Sequence, residues 1–419
     1  MPAITHNLRL NNTCTFDDCL LGTLLKTMAH GRDKELPVVN VYRSITEVPF
    51  GPEQFGVRTS ELSLANFKLL EKTLPGAEHR YAVITRNGKP TMFAYYQLFT
   101  LTPANFNLES NNSFTKGLIK FFVNIKKTKI LMLGNALENE KRCYCYDPAL
   151  LTSDEATEAV AALAEKIAAD DCASAIILKE LPELSAHTQH ILKEGGYIQP
   201  FEDRVMELHV DARWQTLADY MNDLTRKYRA RANKIVAALQ GVEVRSLTLA
   251  EIKQHEEAIH QLFSATIYQQ PFTLTHPAKG FFTGLKELYK DDLELTAYFK
   301  EGKMIGFYSA FIKAQSYNIY YIGFDYQENN THQLYFNILF AGLERAILLH
   351  KPVLELGRTS FDAKASLGAK DRQLNYAMKL EYIPDFITRR FVSYFSDMEN
   401  SHWKQRNPLK TAVINTAIN

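Results

Sequence analysis

Residues Tyr81–Thr100 read YAVITRNGKPTMFAYYQLFT, which is two β-rich runs on either side of Asn87-Gly88. An Asn-Gly pair between such runs is the strongest short-range signal for a β-hairpin. A second pair of β-rich runs lies at Glu294–Phe311, around the turn Glu301-Gly302-Lys303. The two hairpins predict antiparallel sheet in each half of the chain.

The segments that follow each hairpin come in a similar order. In the first half they are a helix at Ser153–Ala169, a strand at Ala173–Leu178 and a helix at Leu184–Glu194. In the second half they are a strand at Ile319–Asp325, a helix at His332–His350 and a strand at Val353–Leu356. Ser153 is the predicted N-cap of the first helix. Both halves therefore predict the order hairpin, strand, helix, strand, helix, strand, which is a structural repeat.

Composition limits the class of protein. With 419 residues, of which 46% are hydrophobic and 23% charged, the chain can form two domains. A net charge of +1 argues against a global attraction to DNA. Five cysteines fit a reducing compartment, and Cys143-Tyr144-Cys145 has the wrong spacing for a zinc knuckle, so we expect no metal.

These patterns predict four segments. Residues 1–35 are a peripheral arm, 36–210 a first domain, 211–400 a second domain with a basic linker helix, and 401–419 a mobile tail. The chain has no basic region followed by an apolar run at its start, and no window near the roughly 20 apolar residues that a membrane-spanning helix needs. We expect a cytoplasmic protein, with docking at a membrane surface left open.

The stretch Val353–Lys370, VLELGRTSFDAKASLGAK, predicts a buried strand that runs into a loop with two cations, Arg358 and Lys364. Loops at strand ends commonly carry function. Cations there can hold a phosphate, a carboxylate or the oxyanion of an acyl-transfer reaction. The alternative is a solvated loop whose cations pair with Asp362 and Asp371.

A basic cluster lies between the halves, on a helix predicted at Trp214–Leu239. Five cations and no acidic residue occur from Arg226 to Lys234. We expect Arg226, Arg229 and Arg231 to bind phosphates of a nucleotide, a tRNA or a lipid headgroup. A solvated helix face is the alternative.

Acid–base chemistry on an amine needs a group that accepts its proton. Asp325 and Glu355 are the best-placed carboxylates, with Tyr321 and His332 as secondary candidates. A charge at Glu355, inside an apolar strand, is unfavourable unless it is paired. The alternatives are that Glu355 points to the polar face of its strand and that His332 is a cap or surface residue.

Four aromatic residues precede the second hairpin: Tyr268, Phe272, Phe281 and Phe282. We interpret them as core packing, and a tunnel for a long acyl chain is the alternative.

Three segments carry a resemblance to a known family: LTRKYRARANKI at 224–235, AYFKEGKMIGFYSAF at 297–311 and LELGRTSFDAKASLGA at 354–369. The chain resembles the GNAT superfamily of N-acyltransferases, in the tandem branch that includes Fem-type peptidyltransferases. The resemblance implies an α/β (α+β) fold of two GNAT-like domains, each with a mixed, mostly antiparallel sheet flanked by helices.

The resemblance also implies an activity, the transfer of an acyl group from a thioester such as acyl-CoA, as co-substrate, to an amine. It permits a lipidic or sphingoid-like amine and a place in lipid metabolism. The expected catalytic residues are Lys364, Glu355, Asp325 and Tyr321, and the expected substrate-binding residues are Arg358, His332, Arg226, Arg229 and Arg231.

The chain departs from the family pattern at Tyr326–His332, YQENNTH, which lacks the Gly-x-Gly that holds a pyrophosphate. Asn329, Asn330 and Thr331 are good caps there, and leave N–H groups for an anion. Two alternatives follow. One is Fem-type aminoacyl transfer from a tRNA to a cell-wall precursor, which would use the basic helix, and the other is a non-catalytic protein that binds a lipid or a partner.

Overall fold

The structure is a computed structural model that describes residues 37–56, 61–107, 128–137, 143–198, 203–380 and 403–410. The predicted arm at 1–35 lies outside the described residues, and so do residues 381–400 of the predicted second domain. Of the predicted tail at 401–419, the structure describes residues 403–410.

The strands, numbered along the chain, are β1 Val38–Tyr42, β2 Ala77–Arg86, β3 Lys89–Thr100, β4 Lys129–Leu133, β5 Tyr144–Tyr146, β6 Ala175–Leu178, β7 Asp203–His209, β8 Val242–Ser246, β9 Leu293–Lys300, β10 Lys303–Ile312, β11 Ser316–Phe324, β12 Val353–Glu355, β13 Lys370–Leu374 and β14 Ala377–Leu380.

The α-helices are α1 Leu64–Thr73, α2 Ser153–Asp171, α3 Ala186–Glu194, α4 Leu217–Asp223, α5 Arg226–Ala237, α6 Leu249–Gln254, α7 Glu256–Tyr268, α8 Phe281–Tyr289, α9 Tyr326–His332, α10 Leu334–Leu348 and α11 Phe361–Ala365.

The chain forms two compact units. Unit 1 takes the described residues within Met1–Glu202, Pro271–Pro277 and Leu374–Tyr394, and unit 2 takes those within Asp203–Gln270, Ala278–Gln373 and Phe395–Asn419. Neither unit is a continuous stretch of chain.

The sheet of unit 1 has the order β1-β2-β3-β4-β6-β14, with β5 paired to β3. The β4–β6 pair is parallel and the other pairs are antiparallel. Helix α2 packs on β3, β4 and β6, and its buried positions are mostly alanines, which let a helix approach a sheet closely.

The sheet of unit 2 has the order β13-β7-β12-β11-β10-β9-β8. The β11–β12 pair is parallel. The pairs β7–β12, β10–β11, β9–β10 and β8–β9 are antiparallel. Helix α10 packs on β10, β11 and β12, while α7 packs on β10 and β11. The fold class predicted from the sequence is therefore confirmed: two mixed, mostly antiparallel sheets with flanking helices.

The division into units differs from the predicted segments at β7 and β14. Unit 2 begins at Asp203, so β7 lies in the second sheet, whereas the sequence placed the boundary after residue 210. Strand β14 lies in the first sheet beside β6, although its residues fall in the predicted second domain. Both strands pair with residues far away in sequence.

Both predicted hairpins are present. Asn87 and Gly88 connect β2 to β3 with φ values of 50° and 71°, and Glu301 and Gly302 connect β9 to β10 with φ values of 50° and 79°. Two consecutive residues with positive φ match the right-handed twist of the flanking strands.

Two helix starts differ from the prediction. Thr152, and not Ser153, caps α2, because its hydroxyl accepts from Glu155 N and the Glu155 carboxylate accepts from Thr152 N. The helix predicted at His332–His350 is broken at Gln333, whose φ of 49° is left-handed. The break separates α9 from α10 without a glycine or a proline.

Candidate active site in unit 2

Strands β11 and β12 separate in the middle of the second sheet. They pair at three positions, Ser316 with Val353, Tyr317 with Leu354, and Asn318 with Glu355. Beyond Asn318, β11 stays paired with β10. Beyond Glu355, Leu356 N donates to Met206 O at 2.8 Å, which keeps the chain with β7. In α/β sheets, ligands bind where neighbouring strands part at their carboxyl ends.

A β-bulge lies just past the point where the strands separate. The register between β10 and β11 shifts between Tyr308 and Ala310. The Ser309 hydroxyl accepts from Tyr321 N at 3.2 Å and donates to Tyr321 O at 3.3 Å. Bulges re-aim side chains and are common beside active sites.

The predicted catalytic Tyr321 follows this bulge. Its ring lies 4.9 Å from the ring of Phe263 in α7 and 4.4 Å from that of Tyr320. Tyr321 is half-buried.

Three buried polar side chains lie near the place where the strands separate, and the charge of Glu355 is close enough to act on the pKa of Lys364. Asn318, Glu355 and Lys364 are 5%, 6% and 3% exposed. Asn318 Nδ2 donates to Glu355 Oε2 at 2.7 Å. Glu355 is therefore buried and paired, and the alternative in which it points to the polar face of its strand is wrong.

Lys364 reaches this point from α11. The chain leaves β12 through Gly357 and Ser360, which both have positive φ, 76° and 59°. These two residues turn the chain back. The Lys364 amine lies close to the Gly357 backbone: a Cβ added to Gly357 would be 3.9 Å from Lys364 Nζ. The lysine is fully inside the fold, so the reading of a solvated loop is wrong at Lys364.

Burial lowers the pKa of Lys364 to about 7, and the nearby charge of Glu355 works against that shift. A group with such a pKa is present in both protonation states at neutral pH. General acid–base catalysis works best when the pKa of the catalytic group lies near the working pH.

Asn318 is a site residue that the sequence analysis missed. Its Nδ2 is committed to Glu355, which leaves Oδ1 as a buried acceptor without a hydrogen-bond partner. A buried acceptor of this kind suits an N–H donor from a substrate. A polar residue in the otherwise apolar run from Tyr317 to Phe324 was the signal that could have found it.

Asp325 and His332 have structural roles at the two ends of α9. The Asp325 carboxylate caps the helix by accepting from Gln327 N at 2.8 Å. His332 is buried, with Nδ1 2.8 Å from the Ala238 carbonyl and Nε2 3.4 Å from Glu328. These contacts hold α9 against the end of α5, and the structure does not bring either residue to Lys364.

The start of α10 lies beside the loop that follows β12. The Tyr335 hydroxyl hydrogen-bonds with Ser360, and burial raises the pKa of Tyr335 to about 12. Arg358, half-buried, belongs to the same loop. Tyr335 N donates to Asn329 Oδ1 at 2.9 Å, so one of the amides expected to be free for an anion is occupied.

The basic cluster lies on α5, whose first turn has no acidic residue. Arg231 stacks on Phe336 of α10, with the guanidinium carbon 4.6 Å from the ring centre. Within the part of the chain that the structure describes, no ion pair involves Arg226, Arg229 or the two lysines of the cluster, Lys227 and Lys234. Their charges are therefore available to an anionic ligand.

The aromatic residues before the second hairpin mostly pack in cores, as interpreted from the sequence. Phe281 and Phe282 are 1% and 6% exposed in unit 2. Phe272 packs on Phe106 in unit 1, with ring centres 5.0 Å apart. Tyr268 is 67% exposed.

The chain is similar to several solved structures. A tandem GNAT protein from the clavulanic acid biosynthesis pathway is 10% identical, covers 83% of this chain and 100% of its own, and has a TM-score of 0.47. FemX is 10% identical, the match covers 77% of this chain and 92% of FemX, and the TM-score is 0.44. This chain resembles FemX and the tandem GNAT proteins in structure.

A third similar structure is a conserved protein of unknown function from Enterococcus faecalis V583, described as a probable N-acyltransferase. It is 11% identical, the match covers 83% of this chain and 73% of that protein, and the TM-score is 0.44. No family model and no curated protein matches the sequence.

Among the described residues, no helix is both long enough and apolar enough to span a bilayer.

The buried Lys364 predicts a pH-dependent stability. In an unfolded chain the pKa of lysine is about 10.4, whereas in the fold that of Lys364 is about 7. Below pH 7 Lys364 is protonated in both the folded and the unfolded chain, and its buried charge destabilises the folded state fully. Between these pKa values the unfolded chain binds more protons, so the free energy of unfolding rises with pH.

From pH 7 to pH 9, Lys364 should contribute a gain of about 2 kcal/mol in the free energy of unfolding. Urea unfolding at both pH values measures it. Lys364→Met should lose this gain, and Lys370→Met, at an exposed position, should keep it. Equal gains in the wild type and in Lys364→Met would show that the amine keeps an ordinary pKa.

Proposed function

We propose that the protein is an N-acyltransferase that moves an acyl group from a thioester donor, most simply an acyl-CoA, to an amine, and that unit 2 holds the reacting groups. The observation that carries the proposal is the burial of Lys364 beside Glu355 and Asn318, at the point where β11 and β12 separate.

The first requirement of the reaction is a neutral amine. A primary amine is mostly protonated at pH 7 and must lose a proton before it can attack. Lys364, with a pKa of about 7, is available in its neutral form to take that proton. Asn318 Oδ1 accepts a hydrogen bond from the same amine and orients its lone pair.

The bonds then change in a simple order. The amine nitrogen attacks the acyl carbon and forms a C–N bond, and the C–S bond of the thioester breaks. The nitrogen loses two protons: the first passes through Lys364 to solvent before the attack. The second leaves as the amide forms, goes to Lys364, and from there to the departing thiolate. While protonated, the lysine stabilises the oxyanion of the tetrahedral intermediate. The nearby charge of Glu355 prevents the pKa of Lys364 from falling further.

The anionic end of the donor requires cations near the start of α10. Arg231, stacked on Phe336, lies beside that first turn. Arg358 belongs to the loop after β12, which is held to α10 by the hydrogen bond between Ser360 and Tyr335. We assign phosphate binding to these two arginines. They take the role that a Gly-x-Gly loop would otherwise have, because Asn329 already uses one amide of the turn.

A second candidate function is aminoacyl transfer from a charged tRNA to a cell-wall precursor. It is favoured by the four cations of α5 without an ion pair among the described residues, because such a row matches a phosphate backbone. The chemistry at Lys364 would be the same, except that the bond that breaks is the ester to the tRNA.

Replacing Lys364 should abolish transfer without unfolding the protein. Lys364→Ala removes the proton acceptor, and kcat should fall by about 10²- to 10⁴-fold. The assay follows amide formation from the donor and amine that the wild type accepts, and thermal unfolding verifies the fold. Lys370→Ala, an exposed lysine on the same segment, should keep the wild-type rate. Unchanged turnover in Lys364→Ala would remove this residue from the mechanism.

The pH dependence of the reaction should report Glu355. With Lys364 as proton acceptor, kcat/KM rises with pH through an inflection near its pKa. The Glu355 charge raises that pKa, so Glu355→Gln should move the inflection to lower pH. The same acceptor amine is used for both proteins, so its own ionisation cancels. An unmoved inflection would contradict the coupling between the two residues.

The donor class can be identified by ligand-induced stabilisation. We expect acetyl-CoA or palmitoyl-CoA to raise Tm, free CoA to raise it less, and Arg231→Gln to reduce the response. A response only to a charged-tRNA mixture, lost in the double variant Arg226→Ala/Arg229→Ala, would establish the second candidate instead. No response to any of these donors would contradict both functions.

A further inference from the structure

Residues 403–410 cross unit 2 from α11 to the start of α5. At one end the Trp403 ring stacks on Phe361 of α11, with ring centres 5.8 Å apart. At the other end Leu409 forms an antiparallel β-bridge with Leu224, between α4 and α5. The segment therefore joins α11, the helix of the buried lysine, to the start of the basic helix.

Two further contacts lie at the turn that follows α11. Gln405 Nε2 donates to the Ala369 carbonyl at 3.3 Å. Pro408 is buried, and a Cβ added to Gly368, whose φ is 100°, would lie 3.3 Å from the Pro408 Cγ. The glycine thus allows the segment to approach the turn closely, and the two pack together.

Backbone hydrogen bonds fix the other end of the segment. Thr225 N donates to the Pro408 carbonyl at 2.8 Å, and Lys410 N donates to the Asp223 carbonyl at 2.9 Å. Thr225 is the N-cap residue of α5. The segment is therefore anchored where α4 ends and α5 begins, and it reaches α11 from that anchor.

Helix α11 depends on contacts of this kind. It has five residues, and its N-cap, Ser360, makes no side-chain capping bond. So short a helix is not stable alone, because fixing its first turn costs more free energy than its few hydrogen bonds return. Tyr220 of α4 adds one contact, from its hydroxyl to the Leu367 carbonyl at 2.9 Å. Whatever holds α11 in place also keeps Lys364, which is 3% exposed, away from water.

Burial dominates the proton affinity of Lys364. The charged groups on the elements around this lysine are Glu355 of β12, Arg358 of the next loop, Glu207 of β7 with its partner Arg372, and the ion pair of Asp362 with Arg406. Among the described groups, the charge of Glu355 raises the pKa of Lys364, and burial outweighs it. The side chains of Arg406 and Asp362 are 46% and 58% exposed, and such pairs contribute little. The packing that excludes water is therefore the decisive contact.

We propose that residues 403–410 are a positioning segment for Lys364, whose contacts hold α11 in place and keep water from the lysine amine. Trp403 acts through Phe361, its stacking partner. Phe361 and Lys364 are three residues apart on one helix, so their side chains lie on the same side and move together. The effect on turnover rests on the function proposed above, whereas the effect on the lysine itself does not.

Lysine NMR tests the proposal without an activity assay. The full-length protein is labelled at lysine 13Cε and titrated with base, and the Lys364 signal is assigned by its disappearance in Lys364→Met. Trp403→Ala should let water reach the amine and raise the pKa of Lys364 by about one unit or more, towards the ordinary value of about 10.4. Trp403→Phe keeps an aromatic ring on Phe361 and should restore most of the wild-type pKa. Asn407→Ala, at an exposed position of the same segment, should leave it unchanged.

Turnover should follow the lysine. In Trp403→Ala, kcat/KM at pH 7 should fall several-fold, and its inflection should move to higher pH by the same amount as the pKa seen by NMR. Leu409→Ala, which loosens the anchored end, should shift both in the same direction and serves if Trp403→Ala unfolds.

The two readouts separate this proposal from the proposed function. An ordinary lysine pKa in the wild type, or a wild-type pKa in the folded Trp403 and Leu409 variants, would overturn the positioning role. A raised pKa in those variants, in a protein that transfers no acyl group, would support the positioning role and contradict the proposed function.

Discussion

A lysine amine buried beside a carboxylate is the constraint around which the unit 2 site is built. Water would solvate both charges, but the fold removes it, so Lys364 and Glu355 depend on each other and on Asn318. Taking away one member of such a group leaves an uncompensated charge inside the protein. The backbone satisfies this constraint with a very short β12 and a turn through Gly357 and Ser360. A non-glycine residue with a left-handed φ is uncommon, and Ser360 adopts it here to return α11 to the strands.

The two units place asparagine, lysine and glutamate at the ends of their parallel strand pairs but arrange them differently. In unit 2 the asparagine side chain binds the glutamate, and the lysine is partly neutral. In unit 1 Lys179 donates to the Asn135 carbonyl and lies beside Glu180.

The sequence predicted features that depend on local pattern. The hairpins follow from their turn residues, and Glu355 and Lys364 stood out as charges next to an apolar strand. The polarity of Asn318 within an apolar strand marks it locally, but its importance depends on its register with Glu355, which is a contact across distant parts of the chain. Asp325 was predicted as a base, although an aspartate just before a helix is a common cap. The break at Gln333 could not be predicted, because glutamine carries no preference for a left-handed conformation.

Each unit is discontinuous along the chain, because Pro271–Pro277 and Leu374–Tyr394 belong to unit 1 and interrupt unit 2. Strand β14 completes the first sheet beside β6, yet it is made after all of unit 2 except the residues beyond 394. A ribosome therefore releases the last strand of the first sheet only after the second sheet has been synthesised. One cut between residues 202 and 203 keeps every strand of unit 2 in the second fragment but leaves unit 1 without β14. Any attempt to express the units separately must move the codons of β14 to the first fragment, and those of β7 must stay with the second.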